Sequence, residues 1–218
     1  MKILTTLSSP NYDERESHPI DMLVLHYTGM RSGDAAIDRL CDITAKVSAH
    51  YVITERGDIH SLVPEDKRAW HAGVSHWRGH TNINQRSIGI ELVNPGHELG
   101  YRPFPTAQMQ SVLALCSDIV ARHAIPARNV VGHSDVAPTR KEDPGELFDW
   151  PLLAQHGIGL WPQAQGFAEA EKLADYGYEL ADMEKTITAF QRHFCPQNLT
   201  GQWDRKCGAL LASLLAIV

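Results

Sequence analysis

Two histidines and one acidic residue stand where a chain can bring them to the rim of a sheet. His26 comes near the end of the apolar run Met22-Leu-Val-Leu-His-Tyr27, and His133 directly follows the short run Asn129-Val-Val-Gly132. Asp143 comes a little later, inside Lys141-Glu-Asp-Pro-Gly145. Side chains at strand ends project into clefts rather than into a core. Two imidazoles and a carboxylate make a donor set suited to catalytic Zn2+, with a fourth position left for water. Spacing alone leaves a second reading open, in which these are ordinary histidines with partners in the core or at the surface. The chain holds 12 histidines. His76 and His80 have the i, i+4 spacing of ligands on a helix, but Gly73 and Gly79 argue against a helix there, so they read as solvated loop residues. His18, His60, His97, His123, His156 and His193 have no motif around them and read as ordinary.

Other residues could recognise a ligand. Trp70 and His71 fall in a long segment rich in Gly, His, Trp and Asn. A tryptophan beside a histidine suits a sugar–peptide groove, where one stacks and the other hydrogen-bonds; the alternative is that Trp70 closes the core. His50 is read either as orienting a metal ligand from behind or as core packing. Arg78, in Trp77-Arg-Gly79, is read as lining the same groove.

The elements that must carry these residues can be read coarsely. Met22–Tyr27, Ala49–Thr54, Asp58–Val63, Ser87–Val93 and Asn129–Gly132 read as strands, with Glu55-Arg-Gly57 as a hairpin turn. Helices are expected over Asp34–Lys46, over Thr106–His123 with Thr106 as N-cap, and over Asp149–His156. The Thr106 helix shows a stripe of Met109, Val112, Leu113, Cys116, Ile119 and Val120. Asp66–Arg86 reads as a long loop without period, usually a functional feature in a compact domain. Gly157–Gly166 reads as a linker, followed by helices near 167–175, 183–194 and 204–217, with Asp204 as an N-cap. The expectation is an α/β fold with a mixed central sheet flanked by helices, residues 1–160, plus a small three-helix domain, residues 165–218. A core of that second size is marginal alone and should lean on the first.

The chain has 218 residues, a formal net charge of −6, 43% hydrophobic and 21% charged residues. Those values suit a soluble globular protein with a sizeable core. The acidic balance offers no electrostatic reason to expect nucleic acid or an anionic membrane as partner, and no apolar run is long enough to span a bilayer. Cys41, Cys116 and Cys207 fall on apolar helix positions and read as buried free thiols. Residues Met1–Glu16 lack the apolar stretch of an export signal, so a cytoplasmic location is expected.

Six ordered blocks carry a resemblance: Leu25-His-Tyr-Thr28, Ala49-His-Tyr51, Ala69-Trp-His-Ala-Gly73, Ser87-Ile-Gly-Ile-Glu-Leu92, Val131-Gly-His-Ser-Asp135 and Lys141-Glu-Asp-Pro-Gly145. Over about residues 20–150 the chain resembles the type-2 N-acetylmuramoyl-L-alanine amidases, the family that includes the peptidoglycan recognition proteins. Ala189-Phe-Gln191 and Asn198-Leu-Thr-Gly-Gln202 resemble a helical peptidoglycan-binding domain that often follows such amidases. The whole is most similar to the Gram-negative amidases that cleave both intact wall and anhydro-muropeptides. The resemblance implies His26, His133 and Asp143 as zinc ligands, the last being Asp where some relatives use Cys. It implies Glu91 as the residue that handles the water and Lys141 as a cation near the reacting carbonyl. It also implies a peptidoglycan or muropeptide substrate, with a periplasmic location as the alternative if a wall-binding module is present. Two other readings compete: a protein that binds peptidoglycan without cutting it, and a zinc peptidase acting within the stem peptide.

Overall fold

The computed structural model describes residues 1–16 and 18–218. Its strands are β1 (Ile3–Leu4), β2 (Tyr12–Glu14), β3 (Met22–Tyr27), β4 (Tyr51–Ile53), β5 (Ile59–Ser61), β6 (Lys67–Ala69), β7 (His76–Trp77), β8 (His80–Thr81), β9 (Ser87–Leu92) and β10 (Val130–Gly132). Its helices are α1 (Gly33–Cys41), α2 (Gly96–Leu99), α3 (Thr106–His123), α4 (His133–Val136), α5 (Trp150–Gln155), α6 (Leu173–Tyr176), α7 (Met183–Phe194) and α8 (Arg205–Ala216). Six strands form the central sheet in the order β1-β5-β4-β9-β3-β10. It is mixed: β4 and β5 pair antiparallel, whereas β4, β9, β3 and β10 run parallel. Among the described residues, no helix is long and apolar enough to cross a membrane.

The two-residue period of a strand divides the labour of β3 and β9. Leu23 and Leu25, with Ile88, Ile90 and Leu92, face the buried stripe of α3. Met22 and Val24, with Val131 of β10, belong to the other face, where they share one core with Leu173, Tyr178, Phe190, Phe194, Leu211 and Leu214. His26 continues the second series past Val24. The residues of β9 that alternate with its apolar set are Ser87, Gly89 and Glu91, and Glu91 is in register with His26.

Several elements differ from the sequence-based expectation for identifiable reasons. The first helix stops at Cys41 rather than Lys46, because the Asp42 carboxylate takes hydrogen bonds from the Thr44 amide and hydroxyl and draws the chain out of the helix. Pro105, not Thr106, occupies the N-cap position of α3, with no side-chain cap. Residues 66–86 are not a featureless loop: they hold β6, the β7–β8 pair and a 3-10 turn over Ile83–Gln85. The helix expected near 167–175 starts late, as a 3-10 turn over Ala170–Lys172 that runs into α6. Ahead of that turn the Ala168 amide donates to the Gly208 carbonyl and Trp203 Nε1 donates to the Ala168 carbonyl, which ties the chain to α8 there. Helices α7 and α8 match expectation closely, with Asp204 capping the Cys207 amide. All four cysteines are free; Cys116, Cys195 and Cys207 are buried and Cys41 is partly exposed.

The segment after residue 165 is thus not a bead on a linker, because its apolar side is one continuous core with β3 and β10. Arg128 Nε and Nη2 donate to the carbonyls of Tyr176 and Asp175, tying the same surfaces at their edge. Leu214→Ala, at a fully buried position of that core, is expected to cost about 2–5 kcal/mol. Far-ultraviolet circular dichroism and tryptophan fluorescence should report one coincident unfolding transition; two separated transitions would show that the parts unfold independently.

Candidate metal centre and cleft

Strand β3 ends at the carboxyl edge of the parallel sheet, where open α/β sheets collect their ligands. It brings His26 beside His133, which opens α4 immediately after β10. Asp143 is held against them because the Ser134 amide donates to the Asp143 carbonyl at 2.9 Å. His26 Nδ1 lies 2.9 Å from His133 Nδ1 and 2.9 Å from Asp143 Oδ2, and His133 Nδ1 lies 3.0 Å from that oxygen. All three residues are buried.

The hydrogen bonds behind these atoms assign the imidazole tautomers. Ser87 Oγ donates to the Ile83 carbonyl at 2.8 Å, so it accepts from His71 Nε2 at 3.1 Å. His71 Nδ1 is then an acceptor and takes the proton of His26 Nε2 at 3.1 Å. His133 Nε2 donates to the Ala72 carbonyl at 3.0 Å. Both Nδ1 atoms are therefore bare lone pairs, facing each other and a carboxylate oxygen with no proton between them. Such a convergence is repulsive until a cation fills it. Two imidazoles whose outer N–H groups are engaged, together with one carboxylate, are a good match for Zn2+.

The electrostatics agree. Burial, followed by the neighbouring His133, lowers the His26 pKa to about 4, which keeps its nitrogen free. Glu91 sits next to this group, and its Oε2 is enclosed without a hydrogen-bond partner. Burial first, and the charge of Asp143 second, push the Glu91 carboxyl well above its ordinary value, against a smaller opposing effect of Lys141. A carboxyl beside the converging ligand atoms is placed to exchange a proton with a molecule bound there.

A cleft of about 370 Å³ opens over these residues, with Trp70, Glu91, Lys141, Arg140, His97 and Tyr27 among its walls. Arg140 Nη2 donates to the Ala72 carbonyl at 2.9 Å and also reaches the Val74 carbonyl, which fixes one wall. On another wall, Tyr27 Oη is 2.9 Å from His97 Nδ1, while His97 Nε2 is 3.0 Å from Glu146; that carboxylate raises the His97 pKa.

The residues singled out in the sequence thus take different places. His26, His133 and Asp143 come together, with Glu91 and Lys141 beside them. Trp70 borders the cleft, its Nε1 donating to Asp13 Oδ2 at 2.7 Å. His71 touches the cleft but spends both ring nitrogens on the relay behind His26, so its polar atoms face away from a ligand. His50 lies behind the cleft: its Nδ1 accepts from the Gly89 amide at 3.0 Å and its Nε2 donates to the Lys67 carbonyl at 3.1 Å. Arg78 is turned away, its Nη1 donating to Asn129 Oδ1 and its amide to the Gly177 carbonyl. His97 reads as ordinary in the sequence, where no short motif marks it, yet it faces the cleft. Gly89 has a plain steric role, because a Cβ there would collide with the His71 ring.

A family profile described as N-acetylmuramoyl-L-alanine amidase matches residues 16–146. Escherichia coli AmiD, an N-acetylmuramoyl-L-alanine amidase, is 40% identical over an alignment 230 positions long, covering 90% of this chain and 82% of that protein. Salmonella typhimurium AmpD, named as a 1,6-anhydro-N-acetylmuramyl-L-alanine amidase, is 38% identical over 161 residues, 66% of this chain and 84% of its own. Among solved structures, E. coli AmiD with the substrate anhydro-N-acetylmuramic acid-L-Ala-D-gamma-Glu-L-Lys superposes with a TM-score of 0.83 at 38% identity, covering 94% of this chain and 92% of that one. Pseudomonas aeruginosa AmpDH3 with an anhydromuramic pentapeptide gives 0.81 at 32%, covering 94% and 93%. The chain belongs to the N-acetylmuramoyl-L-alanine amidase family.

The buried neutral His50 makes stability depend on pH. Burial first, and the Arg15 charge second, lower its pKa from 6.5 to about 3. The unfolded chain therefore binds a proton that the folded chain excludes. The stability this group contributes is complete above pH 6.5 and is lost as pH falls toward 3, at about 1.4 kcal/mol per pH unit. Denaturant titrations of metal-free protein should show a falling midpoint from pH 7 to 5, with a shallower fall in His50→Gln; equal slopes in the two proteins would contradict the assignment.

Proposed function

We propose that this chain is a zinc-dependent N-acetylmuramoyl-L-alanine amidase, hydrolysing the amide between the lactyl carbonyl of muramic acid and L-alanine in peptidoglycan or muropeptides. The observation that carries the reading is the meeting of two proton-free imidazole nitrogens and a carboxylate oxygen beside a partnerless glutamate. The anhydromuramic peptides held by AmiD and AmpDH3 support a muropeptide as the molecule that fills the cleft.

His26, His133 and Asp143 would hold the metal. When bound there, zinc supplies Lewis acidity, which makes a water more acidic and an amide carbonyl more electrophilic. Glu91, in register with His26 and with Oε2 free of any hydrogen bond, takes a proton from the attacking water and returns it to the leaving amine nitrogen. The Lys141 ammonium stands on the same wall and offsets the negative charge that grows on the carbonyl oxygen. Trp70 offers an apolar surface to sugar or stem peptide. The relay from His26 through His71 to Ser87 keeps the donor nitrogen aimed. Residues 165–218, through their resemblance to a peptidoglycan-binding domain, are assigned contact with the glycan strand.

Mass spectrometry of products from polymeric wall and from a soluble anhydro-muropeptide should find the sugar freed from the intact peptide in at least one. Cuts only within the stem peptide would favour a peptidase. His26→Ala should lose both bound zinc and hydrolysis. Glu91→Gln should keep the zinc and lower kcat by roughly 10²–10⁴-fold; a near-normal kcat would remove Glu91 from the proton transfers.

A further inference from the structure

One carboxylate in this fold is as deeply buried as His26 and takes no part in the steps above. Asp135 is 1% exposed. It lies in the turn that carries His133, and its Oδ2 accepts from the Gly132 amide at 2.7 Å. The other partners come from the C-terminal helical segment: Tyr178 Oη donates to Oδ1 at 2.7 Å, and His193 Nδ1 donates to Oδ2 at 2.7 Å. Tyr178 is 2% and His193 4% exposed, so no water competes at this junction. The His193 ring is stacked on Trp150 with centroids 3.8 Å apart. The same turn has no room to relax, because a Cβ on Gly132 would meet Pro144 at 2.7 Å.

From this we propose that Tyr178 and His193 are positioning residues of the metal centre. They clamp Asp135, Asp135 clamps the Gly132 amide, and the amide sets the backbone from which His133 leaves the sheet. A ligand nitrogen must be held within a few tenths of an ångström to keep metal affinity, and groups behind the ligands supply that hold. The C-terminal segment thus completes the metal site from behind, whether or not it also touches glycan. Its loss would leave Asp135 with one backbone donor for a buried charge. The proposal rests on the metal reading of His26, His133 and Asp143.

The test measures Zn2+ affinity by competition with a chromophoric chelator on the full chain, before any assay of hydrolysis. Tyr178→Phe and His193→Ala are each expected to weaken zinc roughly 10–100-fold. His193→Asn, which can place an amide N–H near the lost Nδ1, should recover much of that loss. Leu214→Ala, in the same core but without a bond to Asp135, should lower the melting temperature and leave zinc affinity within about 3-fold, well short of the weakening expected from loss of a group behind a ligand. The Co2+-substituted protein adds a spectroscopic check: its visible ligand-field bands should change in His193→Ala and not in Leu214→Ala. Parent-like zinc affinity in both clamp variants, or equal weakening by Leu214→Ala, would overturn the proposal. An unaltered chain that takes up no zinc would overturn the metal reading itself, and the clamp with it.

Discussion

Three lone pairs pointing at one another, with no proton to share, form the constraint around which the rest of this molecule is arranged. Left alone, His26, His133 and Asp143 would repel or rotate apart. They stay because each is braced from behind by bonds whose direction is already settled: His26 through His71 and Ser87 to the Ile83 carbonyl, and His133 to the Ala72 carbonyl. That arrangement has a cost in folding, since a buried acceptor cluster is unfavourable without its cation. The parallel sheet bears it by presenting the strand ends at one edge, with an apolar layer on each face.

The alternation along β9 shows how closely structure and chemistry are interleaved. Ile88, Ile90 and Leu92 pack on α3, while Ser87 ends the histidine relay, Gly89 leaves space for the His71 ring and Glu91 stands in register with His26. A shift of register by one residue would exchange these sets and destroy core and site together. The apolar half of the strand therefore fixes the reactive half.

Much of this was legible before any coordinates. His26, His133, Asp143, Glu91 and Lys141 lie inside short ordered blocks, and each block is a local signal even though the residues meet across long stretches of chain. Helix α8 was legible because Asp204 and an apolar stripe act locally. What escaped reading depends on contacts between distant segments. His71 looks like a groove residue in its motif, and only its bonds to His26 and Ser87 show that it faces inward. His193 has no motif, and its partner Asp135 lies 58 residues away. The helix expected near 167–175 loses only its start, to hydrogen bonds from Ala168 to Gly208 and from Trp203 that no local pattern encodes. Arg78 was placed at the groove by its neighbours in sequence, whereas Asn129 draws it to the opposite side.

The continuous core between the sheet and helices α7 and α8 has a consequence for how the enzyme meets a polymer. A binding unit on a flexible tether lets a catalytic centre sweep many bonds around one anchoring point, and its advantage is an effective concentration set by tether length. Here the helices and the cleft form one body. Any surface that α7 and α8 present to a glycan strand stands at a constant offset and angle from the reacting amide. Engagement of such a surface would act as a ruler, selecting stems at one distance and orientation along the strand and passing over the others, while a small soluble fragment would be free of that restriction.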